Sequence, residues 1–340
     1  MLVETEKLKN ICINILRSIG VSNQLSRLVT SDLIDNDIQG YSSHGVMRIK
    51  EYISHIKQGD VLSENKPIAA SISNIVSKID GNKSFGILVK KAVTSHLLDK
   101  LEKNKFGFVV FANSGHIGRL SDIADPVIQA GGIIIGFVNF SGSGQNVIPF
   151  GGNIPKLATN PIIMGTPSPK GPILIDFSTS SYSEGKLRDA CYRNKKIPEG
   201  ILVDKNGNSI TDPKAFYEKY GEFFLTPLGG KELGYKGFGL ALFTEILAGI
   251  ISGGGTSSSK SQNMSNSGFF ITFLPEIFNQ GRDMFNFEVD NLIDYLTKTN
   301  SENIVNNVTI PGLRKKYKTK RVNIKLPRKT WDELIKLQYV

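Results

Sequence analysis

Along the first 60 residues apolar side chains return every three or four positions. Leu8, Ile11 or Cys12, Ile15 and Leu16 form one stripe, and Leu25, Leu28 or Val29, and Leu33 form a second. Two amphipathic helices are predicted from that period, with Gly20 and Gly40 as stops. A third helix is predicted from Ser43, a residue suited to an N-cap, to Lys57, just ahead of Gly59.

From Lys66 the texture changes to alternating or continuous β-branched runs. Residues 69–79, 106–112, 133–139, 173–177, 268–274 (GFFITFL) and 305–310 read as strands. Residues 86–103, 238–251, 286–299 and 329–337 read as helices, and Asn206-Gly207 marks a tight turn. The stretch FSGSGQNVIPFGGNIPKLATNP is rich in turn formers, and SSSKSQNMSNS is polar and reads as a loop. No internal repeat is present.

With 340 residues the chain exceeds the roughly 250–300 at which one core stops growing, so two or three substructures are expected. Forty per cent apolar and 21 per cent charged residues place it among globular chains. Cys12 and Cys191 are far apart and lack a C-x-x-C partner, which argues against a disulfide scaffold or a cysteine metal site. That usage, and charges at the start (MLVETEKLKN) where an export signal has an apolar core, lead to the expectation of a cytoplasmic protein. The most apolar window, 238–251, contains Glu245 and falls short of the roughly 20 residues that span a bilayer.

The formal charge of +10 raises nucleic-acid binding as an alternative class. Nine Lys or Arg lie between Arg314 and Lys329, with only Tyr317 interleaved. Single-strand binders interleave several stacking aromatics, so a solvated face or an anionic small molecule suits the run better.

The segment after Ile133 invites comparison with the dinucleotide fingerprint, because an apolar strand runs into Gly142-Ser143-Gly144. Val147 stands where the third glycine belongs, and Pro149 follows where a helix N-terminus should meet the pyrophosphate. A Rossmann domain is therefore not expected. Four histidines without H-x-x-x-H or H-E-x-x-H spacing predict no catalytic metal, and no G-x-S-x-G elbow occurs.

On the helix expected from Ser43, His44, Arg48, Tyr52 and His55 share one face, while Val46, Ile49, Ile53 and Ile56 supply the apolar stripe. Spacing leaves two readings for the first face. It is either solvated, or Arg48 forks onto a substrate carboxylate beside His44. His116, in Asn113-Ser114-Gly115-His116-Ile117-Gly118-Arg119 after a strand, is either a hydrogen-bonded structural residue or an acid/base group.

Taken in order, the motifs resemble the malate/L-lactate/sulfolactate dehydrogenase family, which also contains ureidoglycolate dehydrogenase and diketogulonate and piperideine-2-carboxylate reductases. They are Asp37-Ile38-Gln39-Gly40-Tyr41-Ser42-Ser43-His44-Gly45 with Arg48 and Tyr52, Ser114-Gly115-His116, Pro149-Phe150-Gly151-Gly152, and Ala158-Thr159-Asn160-Pro161. Asp176-Phe177-Ser178-Thr179-Ser180 with Gly185-Lys186, Thr211-Asp212-Pro213, Pro227-Leu228-Gly229-Gly230 and Lys236-Gly237-Phe238-Gly239 follow, so the likeness covers nearly the whole chain.

The resemblance implies an α+β, non-Rossmann fold. Its helical part would comprise residues 1–65 and 286–340, an α/β part 66–135 and 265–285 would line a cofactor cleft, and a second α/β part would span 136–264. It also implies a homodimer that moves a hydride between NAD or NADP and C2 of a small 2-hydroxy or 2-oxo acid, or alternatively reduces a cyclic imine. Carried over by position, His116 is the acid/base, and Arg48, His44, Tyr52 and Arg119 surround the substrate. Ser141, Asn160, Pro161, Asp176, Ser178, Thr179, Ser180, Lys186, Lys236, Pro311 and Gly312 surround the cofactor. Two departures bear on specificity: Ile117-Gly118-Arg119-Leu120 after the histidine matches a hydroxycarboxylate branch, and Leu313 stands where relatives often carry an acidic or amide residue. Loss of an acidic partner for a ribose hydroxyl, beside a basic run, tips the expectation toward NADP.

Overall fold

The computed structural model describes all residues except 143, 220, 259–263, 279–280, 299–307, 314–320 and 340. Its elements in order are β1 (Leu2–Glu4), α1 (Thr5–Ser18), α2 (Asn23–Gln39), α3 (Ile49–Gln58), β2 (Ile68–Ser71), β3 (Val76–Asp80), α4 (Gly86–Asn104) and β4 (Phe106–Ser114). Then come α5 (Ser121–Gln129), β5 (Ile133–Ser141), β6 (Ile162–Thr166), β7 (Ile173–Phe177), α6 (Glu184–Tyr192), β8 (Leu202–Asp204), β9 (Ser209–Ile210), α7 (Lys214–Glu218) and β10 (Phe223–Leu225). The chain continues through α8 (Gly230–Leu233), α9 (Tyr235–Thr244), β11 (Ser265–Phe273), α10 (Arg282–Thr297), β12 (Asn323–Lys325) and α11 (Arg328–Leu337).

A seven-stranded sheet, ordered β2-β3-β4-β11-β5-β6-β7, forms the centre. Only the β3–β4 pair is parallel, and no helix follows β5 until α6. This is the mixed α+β, non-Rossmann architecture that the resemblance implies, and it agrees with the missing third glycine. Helices α4 and α5 cover the sheet, placing Val89, Val93, Leu97, Ile123 and Val127 against Phe111, Ile134 and Phe270. Phe111 and Phe270 stack at 6.3 Å over two strand glycines. A Cβ on Gly268 would fall 2.2 Å from the Phe111 ring, and one on Gly136 2.3 Å from that of Phe270. The sheet needs glycine at both positions for its central aromatics to lie flat.

A second core gathers α1, α2, α3 and α11, with Leu8, Ile15, Leu33, Ile49 and Leu334 buried. A third joins Val147, Leu187, Leu202 and Leu225 around the small β10-β8-β9 sheet, whose β8–β9 turn carries Asn206-Gly207 as expected. The central sheet runs on through β7, past the break expected at residue 136. Of residues 286–340, Ile324, Leu326 and Leu334 enter the helical core, whereas α10 buries Ile293 outside it.

Several boundaries differ from the sequence reading. Residues 69–79 form a hairpin, β2–β3, with Ser73 bonded back to Val76 across its turn. The 238–251 helix starts at Tyr235 and widens into a π-helical segment from Glu245 to Ile251, and α10 begins and ends earlier than its apolar pattern suggested. Residues 308–310 form no strand, and 305–307 lie outside the described residues. Strands β1 and β12, too short to show a period, pair antiparallel across the chain's two ends. Of the basic run, 314–320 lies outside the described residues. The remainder is partly structural, since Ile324 and Leu326 enter the helical core.

The largest correction concerns the helix expected from Ser43. Two single 3-10 turns, Ser42–His44 and Val46–Arg48, precede α3, which starts only at Ile49. Gly45 between them is extended (φ −88°, ψ −159°), and the Val46 N–H is taken by the Asp37 carboxylate at 2.8 Å rather than by a helical carbonyl. That carboxylate fills the space where a Cβ on Gly45 would lie, at 2.2 Å.

Candidate active site

A cleft of about 1390 Å³ opens between the sheet and the helical core. His44 and Arg48 reach it from the two 3-10 turns, and His116 from the loop after β4. The solvated-face reading fails, because Arg48 is 7 per cent and Tyr52 9 per cent exposed. The His116 loop is fixed from the neighbouring strand: β11 shifts register against β4 between Asn266 and Gly268, and Asn266 Oδ1 accepts the Ile117 N–H at 2.9 Å. A bulge that re-aims one side chain in this way is a common device beside functional sites.

The two imidazoles stack at 5.8 Å, and the Tyr52 hydroxyl lies 3.1 Å from His116 Nδ1. Ser43 Oγ lies 3.1 Å from His44 Nδ1. Burial, then Arg48 and Arg119, push His44 down to about 3, so it is neutral near pH 7. Burial and Arg48 also push His116 well down, but Glu51 pulls the other way and supports its charged form. The two histidines therefore differ chemically. The carboxylate that acts on His116 is Glu51, and the one that acts on His44 is Asp122, which weighs less there than Arg48 and Arg119.

Arg48 is held on several sides. Its Nε donates to the Ser43 carbonyl at 2.7 Å, Nη1 pairs with Glu51 at 2.6 Å and Nη2 approaches Glu184 at 3.5 Å. Arg188 on α6 pairs with the same two acids, at 2.9 and 2.8 Å. Burial opposes the charge on Glu51, yet Arg48 and Arg188 outweigh it and hold the carboxyl far below its ordinary range. The result is a closed quartet of two guanidinium groups and two carboxylates beside the 3-10 turns that carry His44 and Arg48.

Of the other residues expected at the site, Arg119, Asn160, Pro161, Asp176, Ser178, Ser180, Lys186, Pro311 and Gly312 line the cleft. Tyr52 stands behind His116. Ser141 and Thr179 are buried in backbone contacts to Ser265 and Thr159, and Lys236 is exposed over the Tyr235 ring, all three off the cleft wall. Sequence reasoning missed Glu51, Glu184 and Arg188, which become neighbours only through the tertiary approach of α3 and α6. It also missed Lys90, 4 per cent exposed and clamped between Asp32 and Asp122 at 2.5 and 2.8 Å. A signal existed there: Lys90 falls on the same helical stripe as Val93 and Leu97.

The cleft lining also carries amides. Asn139, Asn146 and Asn160 have buried Oδ1 atoms with no hydrogen-bond partner among the described residues. Glu245, at the start of the π-helical segment, accepts the Nδ2 groups of Asn139 at 3.2 Å and Asn160 at 2.9 Å, which turns both amide oxygens away from it. Unpaired buried acceptors beside a large cleft suit a ligand rich in N–H and O–H donors. A nicotinamide dinucleotide, with its carboxamide and ribose hydroxyls, fits that requirement.

A non-Rossmann cleft lined by paired histidines, guanidinium groups and orphaned amide oxygens suits an oxidoreductase of the hydroxyacid dehydrogenase class. The chain belongs to the malate/L-lactate dehydrogenase family, whose model matches residues 3–335. It is 31% identical over 342 residues to a malate/(S)-sulfolactate dehydrogenase of Methanothermus fervidus, covering 99% of this chain and 94% of that protein. The fold matches malate dehydrogenase from Entamoeba histolytica with a TM-score of 0.85 at 26% identity, covering 100% of this chain and 97% of that one. Sulfolactate dehydrogenase from Methanocaldococcus jannaschii matches with a TM-score of 0.79 at 27% identity, covering 99% and 96%. Among the described residues no helix is long and apolar enough to cross a membrane.

Proposed function

We propose that this protein is an NAD(P)-dependent dehydrogenase of small 2-hydroxy acids in which His116 exchanges a proton with the substrate oxygen. The observation that carries the reading is the setting of His116, with Tyr52 on Nδ1, the His44 ring stacked beside it and Glu51 as a nearby carboxylate. In the tautomer protonated at Nδ1, His116 donates to the Tyr52 oxygen and presents the Nε2 lone pair to a substrate hydroxyl.

Arg48 anchors the substrate carboxylate, its position enforced by Glu51, Glu184 and the Ser43 carbonyl. Its Nη1 and Nη2 retain further N–H groups for this purpose. Neutral His44 adds a hydrogen bond beside it. In oxidation His116 takes the hydroxyl proton, and Glu51 steadies the imidazolium that forms; in reduction His116 returns that proton to the developing alkoxide. The bound nicotinamide supplies or accepts the hydride at C2. Asn160, Pro161, Asp176, Ser178, Ser180, Lys186 and the Pro311-Gly312 turn would hold the dinucleotide. Leu313 and the basic residues after it favour NADP over NAD.

The active unit is a homodimer. Support comes from apolar side chains on α9 and the π-helical segment, where Leu242, Phe243, Ile250 and Ile251 are each about half exposed.

The test is reduction of oxaloacetate, pyruvate and sulfopyruvate by NADH and NADPH, with H116A beside the parent. Turnover by the parent, lost in H116A while NADPH fluorescence still titrates on binding, supports the reading. Equal turnover by both proteins refutes it.

A further inference from the structure

Arg119 follows the His116 turn, and Gly118 (φ +79°) swings it onto the cleft wall. Among the described residues the hydrogen bonds of the guanidinium go to Asp122. Nε donates to Asp122 Oδ1 at 2.9 Å, Nη2 reaches the same oxygen, and the Tyr41 ring lies 4.6 Å from the guanidinium carbon. Asp122 also accepts from Lys90 at 2.8 Å, so one carboxylate serves two cations. Arg119 is 8 per cent exposed, and its Nη1 is buried without a hydrogen-bond partner among the described residues. A buried N–H of a charged group is costly to leave unpaired, and this one belongs to a residue that lines a ligand cleft.

Position adds to this. Tyr41, whose ring lies 4.6 Å from the Arg119 guanidinium carbon, accepts the His44 N–H through its carbonyl at 2.9 Å, and the His44 ring in turn stacks on His116 at 5.8 Å, so Arg119 stands next to His44 on the side of Tyr41. Burial pushes the Asp32 carboxyl up despite Lys90, whereas at Asp122 Lys90 and Arg119 outweigh burial and hold the carboxyl below its ordinary value. An acid bound to Arg48 with its C2 oxygen at His116 would extend past His44 toward Arg119.

We propose that Arg119 Nη1 receives a second acidic group of the substrate, a carboxylate or sulfonate, and so makes the enzyme selective for dianionic 2-oxo acids over monocarboxylic ones. This rests on the dehydrogenase reading above. Arg119 is then a specificity-determining residue, held in its fork geometry by Asp122 and Tyr41.

The test compares kcat/KM for oxaloacetate with that for 4-methyl-2-oxopentanoate, which has nearly the same shape but an uncharged branch. The parent should favour oxaloacetate by about a hundredfold, since a site built to pair a polar group discriminates strongly against its absence. In R119M that ratio should fall by about the same factor, with R119K in between because a lysine keeps the charge but not the fork. An unchanged ratio, or equal losses on both acids, overturns the proposal. If R119M does not fold, the R119K ratio decides. If the parent reduces no 2-oxo acid, it is the dehydrogenase reading that has failed. The anion site is then judged by melting temperature, where malonate, but not acetate, should stabilise the parent and have no effect on R119M or R119K. Malonate stabilising neither the parent nor the variants overturns the site.

Discussion

The hydroxyl of Tyr52 lies 3.1 Å from Nδ1 of His116, and this contact governs which imidazole nitrogen faces the cleft. Burial pushes the Tyr52 hydroxyl upward, so it keeps its proton throughout the working range. Y52F removes the partner on Nδ1 and leaves the ring's packing against Phe85. The expected result is a fall in kcat of about tenfold to a hundredfold, in line with the worth of positioned acid/base groups, with cofactor affinity unchanged. A variant with parental kcat would show that Tyr52 only packs.

The same burial gives the pH dependence a direction. His116 lies well below its ordinary value of 6.5. Oxidation, which needs neutral His116, should therefore keep a flat kcat/KM from pH 8 to below 6.5, while reduction should rise as the pH falls. Stability moves the other way. Below pH 6.5 the unfolded chain protonates His44 while the folded chain resists down to about 3, so stability present above 6.5 is lost progressively on acidification. H44Q should reduce the fall in melting temperature between pH 7 and 5. An identical slope in parent and variant would contradict the neutral buried histidine.

Gly185 tests how Arg48 is held. The residue is in α6, where alanine exceeds glycine in helix propensity by about 1 kcal/mol, so propensity alone favours G185A. A Cβ there would fall 2.6 Å from Ser43 Cβ and 2.9 Å from Arg48 Nη2. Overpacking of that kind costs about 1–3 kcal/mol and outweighs the gain. The expected result is a modest loss of melting temperature with a KM for the oxo acid raised about tenfold or more, as Arg48 is pushed from its quartet. A stabilised variant with parental KM would mean that the 3-10 turns yield freely.

These residues also show where sequence reading stops. Of the central layer, α4, β4 and β5 are legible because their apolar patterns run for nine or more residues, whereas α5, which carries Pro126, and the five-residue β6 are not read from the sequence. His44, Arg48 and His116 were legible as candidates through the order of motifs, yet their immediate setting was not. Helical spacing put His44 and Arg48 one turn apart on one helix, whereas Gly45 and Asp37 break that helix by satisfying the Val46 N–H from the side. The partners Glu51, Glu184 and Arg188 carried no local signal, because α3 and α6 meet only through the packing of distant segments. The β1–β12 pair was invisible for a related reason, since three-residue strands have no period to read.

Asp37 offers the sharpest test of that break. It is buried at the end of α2, and burial, against the hydrogen bond from Val46, pushes its carboxyl up to about 7 from 3.8. Between those values the folded chain holds a proton that the unfolded chain has released, so the parent loses stability as the pH rises through the window. Three units amount to about 4 kcal/mol at 1.36 per unit. D37N keeps an amide oxygen for the Val46 N–H and has no proton to lose. Its melting temperature relative to the parent should therefore climb from pH 4 to 7 and level off above, with the 3-10 turns and activity preserved. A difference that stays constant with pH would mean that the carboxylate is charged in the fold, and that the turn carrying His44 and Arg48 depends on an anion rather than on a hydrogen-bond acceptor.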